Sequence, residues 1–434
     1  MRNGFLGSMA VCLVSAGFVV AQPAHLTRNS SSAADPATTA TQPGTAGQVS
    51  PSLPTDSTNP VLPWEPGWVN NMLGVSYGQV QASAEFLYWF TKNFNVLPPL
   101  VLTGGGKTED GDPSLVGGTS SGIDFGLLSG VRVSLAYWLE DCQTWGLQGS
   151  FLTIPQKTLE YRSDSSNVLT RRFFNLNTEI EDNFIVAFPG IASGTVLVQA
   201  RSQFWGAEAN LWRNIFDEPI LEAMRLDVMV GFRYLDLSED VFINSTTSFN
   251  RNLQPFPSFL PFAGNHLSIN DSFSTANQFF GAQFGVSAKF FGTLGTVTFL
   301  GKLGVGTNHE SIFIRGNQVR TLPDGTTTIT PGGVLALASN SGHFSREQFA
   351  LVPEFGFQWN VALTKYIDCF FGYSLIYLNR AIRTGDQIDQ GVDASQIRNF
   401  PTPTASTGLN RPLVPFVQDK YYAQGFNIGL ELRW

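Results

Sequence analysis

In the segment 421–434 of this 434-residue chain, YYAQGFNIGLELRW, the last nine residues alternate between large apolar and small or polar side chains. Successive side chains of a β-strand point to opposite faces, so one face carries Phe426, Ile428, Leu430, Leu432 and Trp434. An alternating segment of roughly 9–11 residues is long enough for one pass of a transmembrane β-strand, with the apolar face toward lipid and the polar face toward a lumen. An edge strand of a soluble sandwich alternates in the same way, so this segment alone leaves both folds open.

Nine further segments show the same alternation. With the C-terminal segment, the predicted strands are residues 80–90, 130–139, 143–154, 195–212, 224–237, 277–290, 295–307, 351–363, 366–379 and 421–434. Low charge (14%), 13% aromatic residues, 36 Phe and 43 Gly also favour an all-β protein. The net charge of −8 and the lack of Lys/Arg runs make nucleic acid an unexpected partner.

The connections between these segments decide between the two folds. Short connections follow the second, fourth, sixth and eighth segments, and long ones, residues 91–129, 155–194, 238–276, 308–350 and 380–419, follow the odd-numbered segments. Strict alternation of short turns and long loops is typical of outer-membrane barrels, with the short turns on the periplasmic side. The sequence therefore predicts a transmembrane, antiparallel, up-and-down β-barrel of about ten strands, 10–12 at most, over residues 79–434.

The N-terminal segments predict export. Residues 1–21 combine Arg2, an apolar run over 5–20 and small residues before Gln22, which is the pattern of a secretory signal peptide. Residues 22–78 form a Ser/Thr/Ala/Pro-rich tether that we expect to be disordered, followed by an aromatic lead-in. The lead-in, PWEPGWVNN (63–71), docks on the inner rim of the barrel, lies at a membrane interface or is plain linker. Cys142 and Cys369 of the mature chain either pair or, as we favour, are unrelated small apolar residues.

The inward faces of the predicted strands carry six acids and six bases. The predicted lumen charges are Glu85, Arg132, Glu208, Arg225, Asp227, Arg233, Lys289, Lys302, Glu354, Asp368, Glu431 and Arg433. Because an unpaired buried charge is strongly destabilising, we expect a paired network. Barrels of about eight strands are filled by side chains and aqueous channels appear at about sixteen, so ten strands predict a narrow, largely plugged lumen.

Three short motifs resemble catalytic or metal sites without the context that such sites need. GGGKT (104–108) has Val101 where a phosphate loop has glycine, and GTSSG (118–122), around Ser120, lacks a strand-to-helix elbow. The four histidines, His25, His266, His309 and His343, are scattered, and His309 with Glu310 is interpreted as a solvated pair at a strand end. We therefore expect no catalytic residue, no metal site and no cofactor.

The segment GDQID (385–389) opens the last long loop. Asp386 and Asp389, with Asp393 beyond them, offer carboxylate oxygens to Ca²⁺, and ordinary turn chemistry explains the same residues. The sequence leaves the role of this loop open.

Four segments resemble recurring segments of the β-barrel porin-7 family of outer-membrane proteins. They are GFRYLDL (231–237), NQFFGAQFG (277–285), VPEFGFQWNVALTKYIDCFFGYSLIYLNRAIRTGDQID (352–389) and AQGFNIGLELRW (423–434). Thr384 stands where the family pattern has proline. The resemblance covers most of the chain from about residue 85 and implies an outer-membrane barrel in a Gram-negative-type envelope, without a defined substrate.

Three functions follow as hypotheses. The first is a structural or surface-contact barrel whose lumen is plugged and whose long loops face outward. The second is a small-solute porin, and the third is an outer-membrane hydrolase, which needs a converged set of catalytic groups. In each case the expected partners are outer-membrane lipid and the barrel-assembly machinery, with the C-terminal set Phe426, Ile428, Leu430, Leu432 and Trp434 as the assembly signal; surface or cell-wall contacts are open.

Overall fold

The computed structural model describes residues 79–93, 96, 100–103, 114–116, 123–140, 143–165, 168–215, 224–250, 263–400 and 408–434. The predicted signal peptide (1–21) and tether (22–78) lie outside these residues, as do the motifs at 104–108 and 118–122, Cys12 and Cys142. No helix in the described ranges is long and apolar enough to cross a bilayer.

Ten antiparallel strands pair in a closed ring. They are β1 (Val80–Thr91), β4 (Leu127–Trp138), β5 (Trp145–Ser165), β8 (Ala192–Asn214), β9 (Met224–Phe249), β10 (His266–Gly292), β11 (Gly295–Thr321), β13 (Gly342–Ala362), β14 (Ile367–Ile382) and β16 (Gln418–Arg433). Each pairs with its neighbour in chain order, and β1 pairs with β16, which closes the barrel. The predicted all-β barrel of about ten strands is thus confirmed.

The strands run further than predicted at the end of the barrel that carries the long loops, called here the outer end. β9 continues to Phe249 and β10 begins at His266, so most of the predicted loop 238–276 is strand. The predicted loop 308–350 is likewise wrong over most of its length, because β11 reaches Thr321 and β13 begins at Gly342. Between them β12 (Thr327–Pro331) folds back on β11.

A reversal in the pattern of side chains explains why these extensions were missed. In the inner half of β10, apolar side chains such as Phe280, Phe284 and Phe290 are exposed on the outer surface, where lipid is expected. Beyond Phe280 the apolar residues move to the opposite face, and Phe279 and Phe273 are buried inside the barrel. The extension therefore packs like a soluble β-sheet, with an apolar interior and a polar exterior.

The long loops contribute a second sheet, called here the loop sheet. Its strands are β2 (Val101–Thr103), β3 (Ser114–Val116), β6 (Leu169–Asn175), β7 (Ile180–Ala187) and β15 (Gly391–Val392). β6 lies at its centre and pairs with β2, β7 and β15, which come from three different loops. Two 3₁₀ turns, Thr384–Gln387 and Ala394–Gln396, lie in the last loop.

One apolar core joins the loop sheet to the barrel. Leu169, Phe173 and Phe184 of the loop sheet belong to the same buried cluster as Ile243 and Phe273 of the barrel strands. Burial of this apolar area supplies the main force that holds the loops in the outer half of the lumen. The fold thus has two halves, an inner one with polar lumen residues and an outer one with a filled apolar interior.

Candidate functional site

Three pairs of opposite charge lie on directly opposed positions of neighbouring strands near the middle of the barrel. Glu85 faces Arg132 across β1 and β4, Glu208 faces Arg233 across β8 and β9, and Lys302 faces Glu354 across β11 and β13. Inward-facing positions place all six side chains in the lumen, and they form a set called here the charge layer. The strand register thus brings together half of the lumen charges that the sequence predicts.

The charge layer connects opposite walls of the barrel. Arg132 lies 3.1 Å from Glu85 and 3.6 Å from Glu354, whose carboxylate also binds Arg233. Glu208 lies 3.2 Å from Arg233 and binds Lys302, which approaches Glu354 at 3.8 Å. Three acids and three bases balance one another, and all are largely buried. Such a network spans the lumen with polar side chains that need one another for stability.

Trp89 joins the charge layer to the apolar core above it. Its indole N–H donates to Asn427 Oδ1 at 2.7 Å, and Asn427 donates to Ser374 Oγ at 2.7 Å. The Arg132 guanidinium lies 5.4 Å from the centre of the Trp89 ring. Trp89 is fully buried, so its ring closes the floor of the apolar core.

A carboxylate on β10 anchors two loops inside the barrel. Asp271 binds Arg171 of the loop sheet and accepts hydrogen bonds from the backbone N–H groups of Val334, Leu335 and Ala336. Both charged side chains are buried. The pair therefore fixes β6 and the 333–336 turn to the same point of the barrel wall.

A second buried ion pair anchors the last long loop. Arg383 donates to both carboxylate oxygens of Glu239 on β9, at 2.8 and 2.6 Å. The hydroxyl of Thr384 donates to the backbone carbonyl of Glu239, and the Arg383 guanidinium also donates to the carbonyl of Lys92. Three loops are thus attached to the barrel wall by charge-assisted bonds, two through the guanidinium groups of Arg171 and Arg383 and one through the Asp271 carboxylate.

The inner half of the lumen contains an open cavity of about 270 Å³, called here the inner vestibule. The other six predicted lumen charges, Arg225, Asp227, Lys289, Asp368, Glu431 and Arg433, lie at this end of the barrel, and all but Asp368 line the cavity. Arg225 lies 2.8 Å from Asp227, and Arg433 binds Asp368 and lies 3.0 Å from Glu431. Gln, Ser and Thr side chains complete the wall.

The structure corrects the interpretation of His309. It lies inside β11, twelve positions before the strand ends at Thr321, and faces outward with Nδ1 2.6 Å from Glu347 Oε1. Glu310 faces the interior instead and binds Arg346 at 2.7 Å. The residues described contain no group of three or more His, Cys, Asp or Glu side chains able to hold a metal ion.

The acids of the last loop take part in local bonds. Asp389 binds Arg411 at 2.7 Å and accepts hydrogen bonds from the backbone N–H groups of Gly391 and Leu413. Asp393 accepts from the backbone N–H of Ser395 at the start of the second 3₁₀ turn. These contacts are those of turn residues. Cys369 is a free thiol on β14.

Sequence reasoning missed the anchors Arg171, Asp271, Glu239 and Arg383, because each was assigned to a loop or left unplaced. One signal was available for two of them: in residues 235–243 the apolar residues continue at every second position on the inward face, and Glu239 lies in that phase. Asp271 likewise lies in phase with Phe273 and Ile269. An isolated charge within an apolar inward face indicates a buried partner.

Comparisons with known proteins agree with this architecture. Residues 82–434 match the sequence model of the family described as putative beta barrel porin-7. No curated protein matches the chain.

Solved structures of outer-membrane proteins match the chain at low sequence identity. The outer membrane protease OmpT from Escherichia coli is 7% identical, with 83% of this chain and 99% of that chain covered and a TM-score of 0.39. A Pseudomonas aeruginosa FadL homologue is 9% identical, with 82% and 89% covered and a TM-score of 0.21. The Pseudomonas putida toluene transporter TodX is 9% identical, with 83% and 91% covered and a TM-score of 0.17. Structural similarity at these TM-scores does not indicate what this chain does.

Proposed function

This chain belongs to the putative beta barrel porin-7 family and lies in the outer membrane, and we propose that it is a sealed barrel that displays its loop sheet as a contact surface outside the cell. The proposed role is non-enzymatic and needs no catalytic residue. The observation that carries the proposal is the double closure of the lumen, by the charge layer at mid-height and by the apolar core above it.

The two closures differ in strength and chemistry. The charge layer leaves polar groups that water can solvate if the layer is disturbed. The outer core instead excludes water, because Leu169, Phe173, Val198, Ile243 and Phe273 are all fully or almost fully buried. A solute crossing the barrel would have to displace this core and break the ion pairs Arg171–Asp271 and Arg383–Glu239, and each such break costs several kcal/mol, about 3–5.

The loop sheet is well suited to display. Its strands come from three loops and are held by an apolar core, so exposed side chains such as Ile180 at the start of β7 keep a fixed geometry instead of fluctuating with a separate loop. A preorganised surface loses less conformational entropy when a partner binds.

Conductance of the refolded chain in a planar bilayer tests the seal. We expect no current steps from the wild-type chain once a heat-dependent gel shift shows that the barrel has folded. We also expect none from a variant that replaces residues 169–187 by a short Gly/Ser linker, because the charge layer remains, and none from Arg132→Ala/Glu354→Ala, because the outer core remains. The combination of both changes should conduct.

A small-solute porin is the second candidate, favoured by the description of the family and by the open inner vestibule. Stable current steps from the folded wild-type chain would select this candidate and reject the sealed barrel. If the combined variant also gives no current steps, a further closure must block the lumen, and the proposal that only these two closures seal the barrel would be wrong.

A further inference from the structure

The inner vestibule contains two cationic side chains on directly opposed positions of neighbouring strands. Lys289 of β10 and Arg225 of β9 are register partners, and both line the cavity. Like charges directly opposite each other on an antiparallel pair are destabilising. An anion between them removes that repulsion.

The two cations differ in how they are satisfied. Arg225 binds Asp227 and donates to the side chain and backbone oxygens of Gln143, at 2.8 and 3.0 Å. Lys289 makes no hydrogen bond and no ion pair within 4 Å with any residue that the structure describes, and Asp227 and Glu431 attract it only from a longer distance. The other carboxylates nearby are engaged by Arg433, which binds Asp368 and Glu431. The Lys289 ammonium group therefore presents free donors to the cavity.

A third donor lies beside these cations. Trp138 lines the same cavity, is only 5% exposed, and its indole N–H has no hydrogen-bond partner among the described residues. The Arg225 guanidinium lies 4.5 Å from the centre of the Trp138 ring, so the two groups are adjacent. A buried donor without a partner is costly, and an acceptor from a ligand would satisfy it.

We propose that the inner vestibule binds a small solute carrying a phosphate or carboxylate group, held by Lys289 and Arg225 with the Trp138 N–H as a further donor. Phosphate and carboxylate oxygens accept hydrogen bonds from ammonium, guanidinium and indole groups together. The cavity of about 270 Å³ lies just below the usual range of ligand pockets, roughly 300–1,000 Å³. The ligand is therefore small.

The charges around the site limit the ligand further. Asp227 pairs with Arg225, and Asp368 and Glu431 share Arg433, so Lys289 is the one cation of the group without a direct contact to a carboxylate in the described part of the barrel. With Lys289 counted, the group holds three cations and three acids. Because this group is already neutral overall, a ligand with one small anionic group changes the balance least, and a polyanion would meet the acids. The cavity faces the inner end of the barrel, so the solute enters from the periplasm.

Calorimetric titration of the folded, full chain in detergent tests the site, with inorganic phosphate as one probe and acetate as the other. The variants are Lys289→Met and Trp138→Phe, and the matched control is Lys420→Met, which removes an exposed lysine near the outer end. We expect the control to bind as the wild type does. Lys289→Met should weaken binding at least about tenfold, the usual effect of losing a charge-assisted bond. Trp138→Phe keeps an aromatic ring and removes the N–H donor, and should weaken binding by about threefold to tenfold.

The two probes distinguish the ligand classes, since the tighter one identifies whether phosphate or carboxylate is preferred. Equal affinity of Lys289→Met and wild type for both probes would overturn the site, as would the absence of binding of either probe by the folded wild-type chain. If Lys289→Met fails to show the heat-dependent gel shift of a folded barrel, Trp138→Phe decides, because it retains both cations. The binding site in the inner vestibule does not depend on the outer seal. A negative binding titration would therefore reject the site without bearing on the conductance test, and a conducting barrel would reject the seal without bearing on the site.

Discussion

Arg171 of the loop sheet and Asp271 of barrel strand β10 form an ion pair in which both side chains are buried, at 1% and 0% exposure. The pair lies in the outer half of the lumen, where the surrounding side chains are apolar. In that setting an ion pair contributes little net stability, but loss of one partner leaves an uncompensated charge. The pair therefore makes the position of the loop sheet specific.

Asp271→Asn should destabilise the folded barrel by about 3–5 kcal/mol, because Arg171 loses its counterion and the backbone N–H groups of the 333–336 turn lose part of their acceptor. Chemical unfolding followed by tryptophan fluorescence measures the loss, and limited proteolysis should cut within the loop sheet first. Asp324→Asn is the control, since Asp324 lies at an exposed hairpin tip and its hydrogen bonds are local, with Thr326 and its own backbone. Equal stabilities of the two variants would contradict the anchoring role.

Glu354→Gln should cost a similar amount, about 3–5 kcal/mol, because Glu354 is the acid that contacts Arg132, Arg233 and Lys302. Three bases then face two acids in the charge layer. Glu347→Gln is the control, as its exposed pair with His309 contributes about 0–1 kcal/mol. Chemical unfolding of Glu354→Gln and Glu347→Gln measures the two free energies of unfolding that are compared.

The double variant Arg233→Met/Glu354→Leu should be more stable than Glu354→Gln alone. It removes one base and one acid, so the four remaining charges of the layer stay balanced, and apolar side chains replace a buried pair at little cost. A double variant less stable than the single one would show that the layer depends on each contact and not on charge balance.

Asp386 makes the stability of the barrel depend on pH. Partial burial and the neighbouring charge of Asp419 raise the pKa of Asp386 from 3.8 to about 6, against the opposing effect of Arg383. The protonated form is therefore favoured in the folded state, so the contribution to stability is full below about pH 4 and is lost as the pH rises to about 6. Melting temperatures of wild type and Asp386→Asn at pH 4 to 7 should diverge in favour of the variant as the pH rises. Parallel curves would contradict the shift.

Removal of Trp434 should slow assembly of the barrel. The backbone groups of Trp434 and Val80 exchange two hydrogen bonds of 3.0 Å at the seam where β16 meets β1. The apolar set that ends at Trp434 faces outward, with Phe426, Ile428, Leu430 and Leu432 exposed. Folded barrel in outer-membrane fractions should fall relative to Leu294→Ala, which alters an exposed apolar residue at the inner turn β10–β11. Wild-type levels of the truncated chain would refute an assembly role for Trp434.

Sequence alternation predicted the inner half of the barrel well, because each inner strand has one face toward lipid and one toward a polar lumen. The outward positions Phe426 to Trp434 and the inward charges of the charge layer follow directly from that rule. The outer half was missed because its apolar face turns inward, as at Phe279 and Phe273, so a rule based on lipid exposure assigned it to loops.

The sequence by itself determined the fold class, the strand count, the alternation of short turns with long loops and the strand faces that carry the charges, since all of these depend on local period and spacing. Only the tertiary structure decided which charges meet. Strand register places Glu85 opposite Arg132, and ring closure brings Glu354 to Arg132 across the barrel. The same closure places Arg171 from one loop beside Asp271 from a distant strand. Contacts of this kind depend on the shape of the closed barrel, which no local pattern encodes.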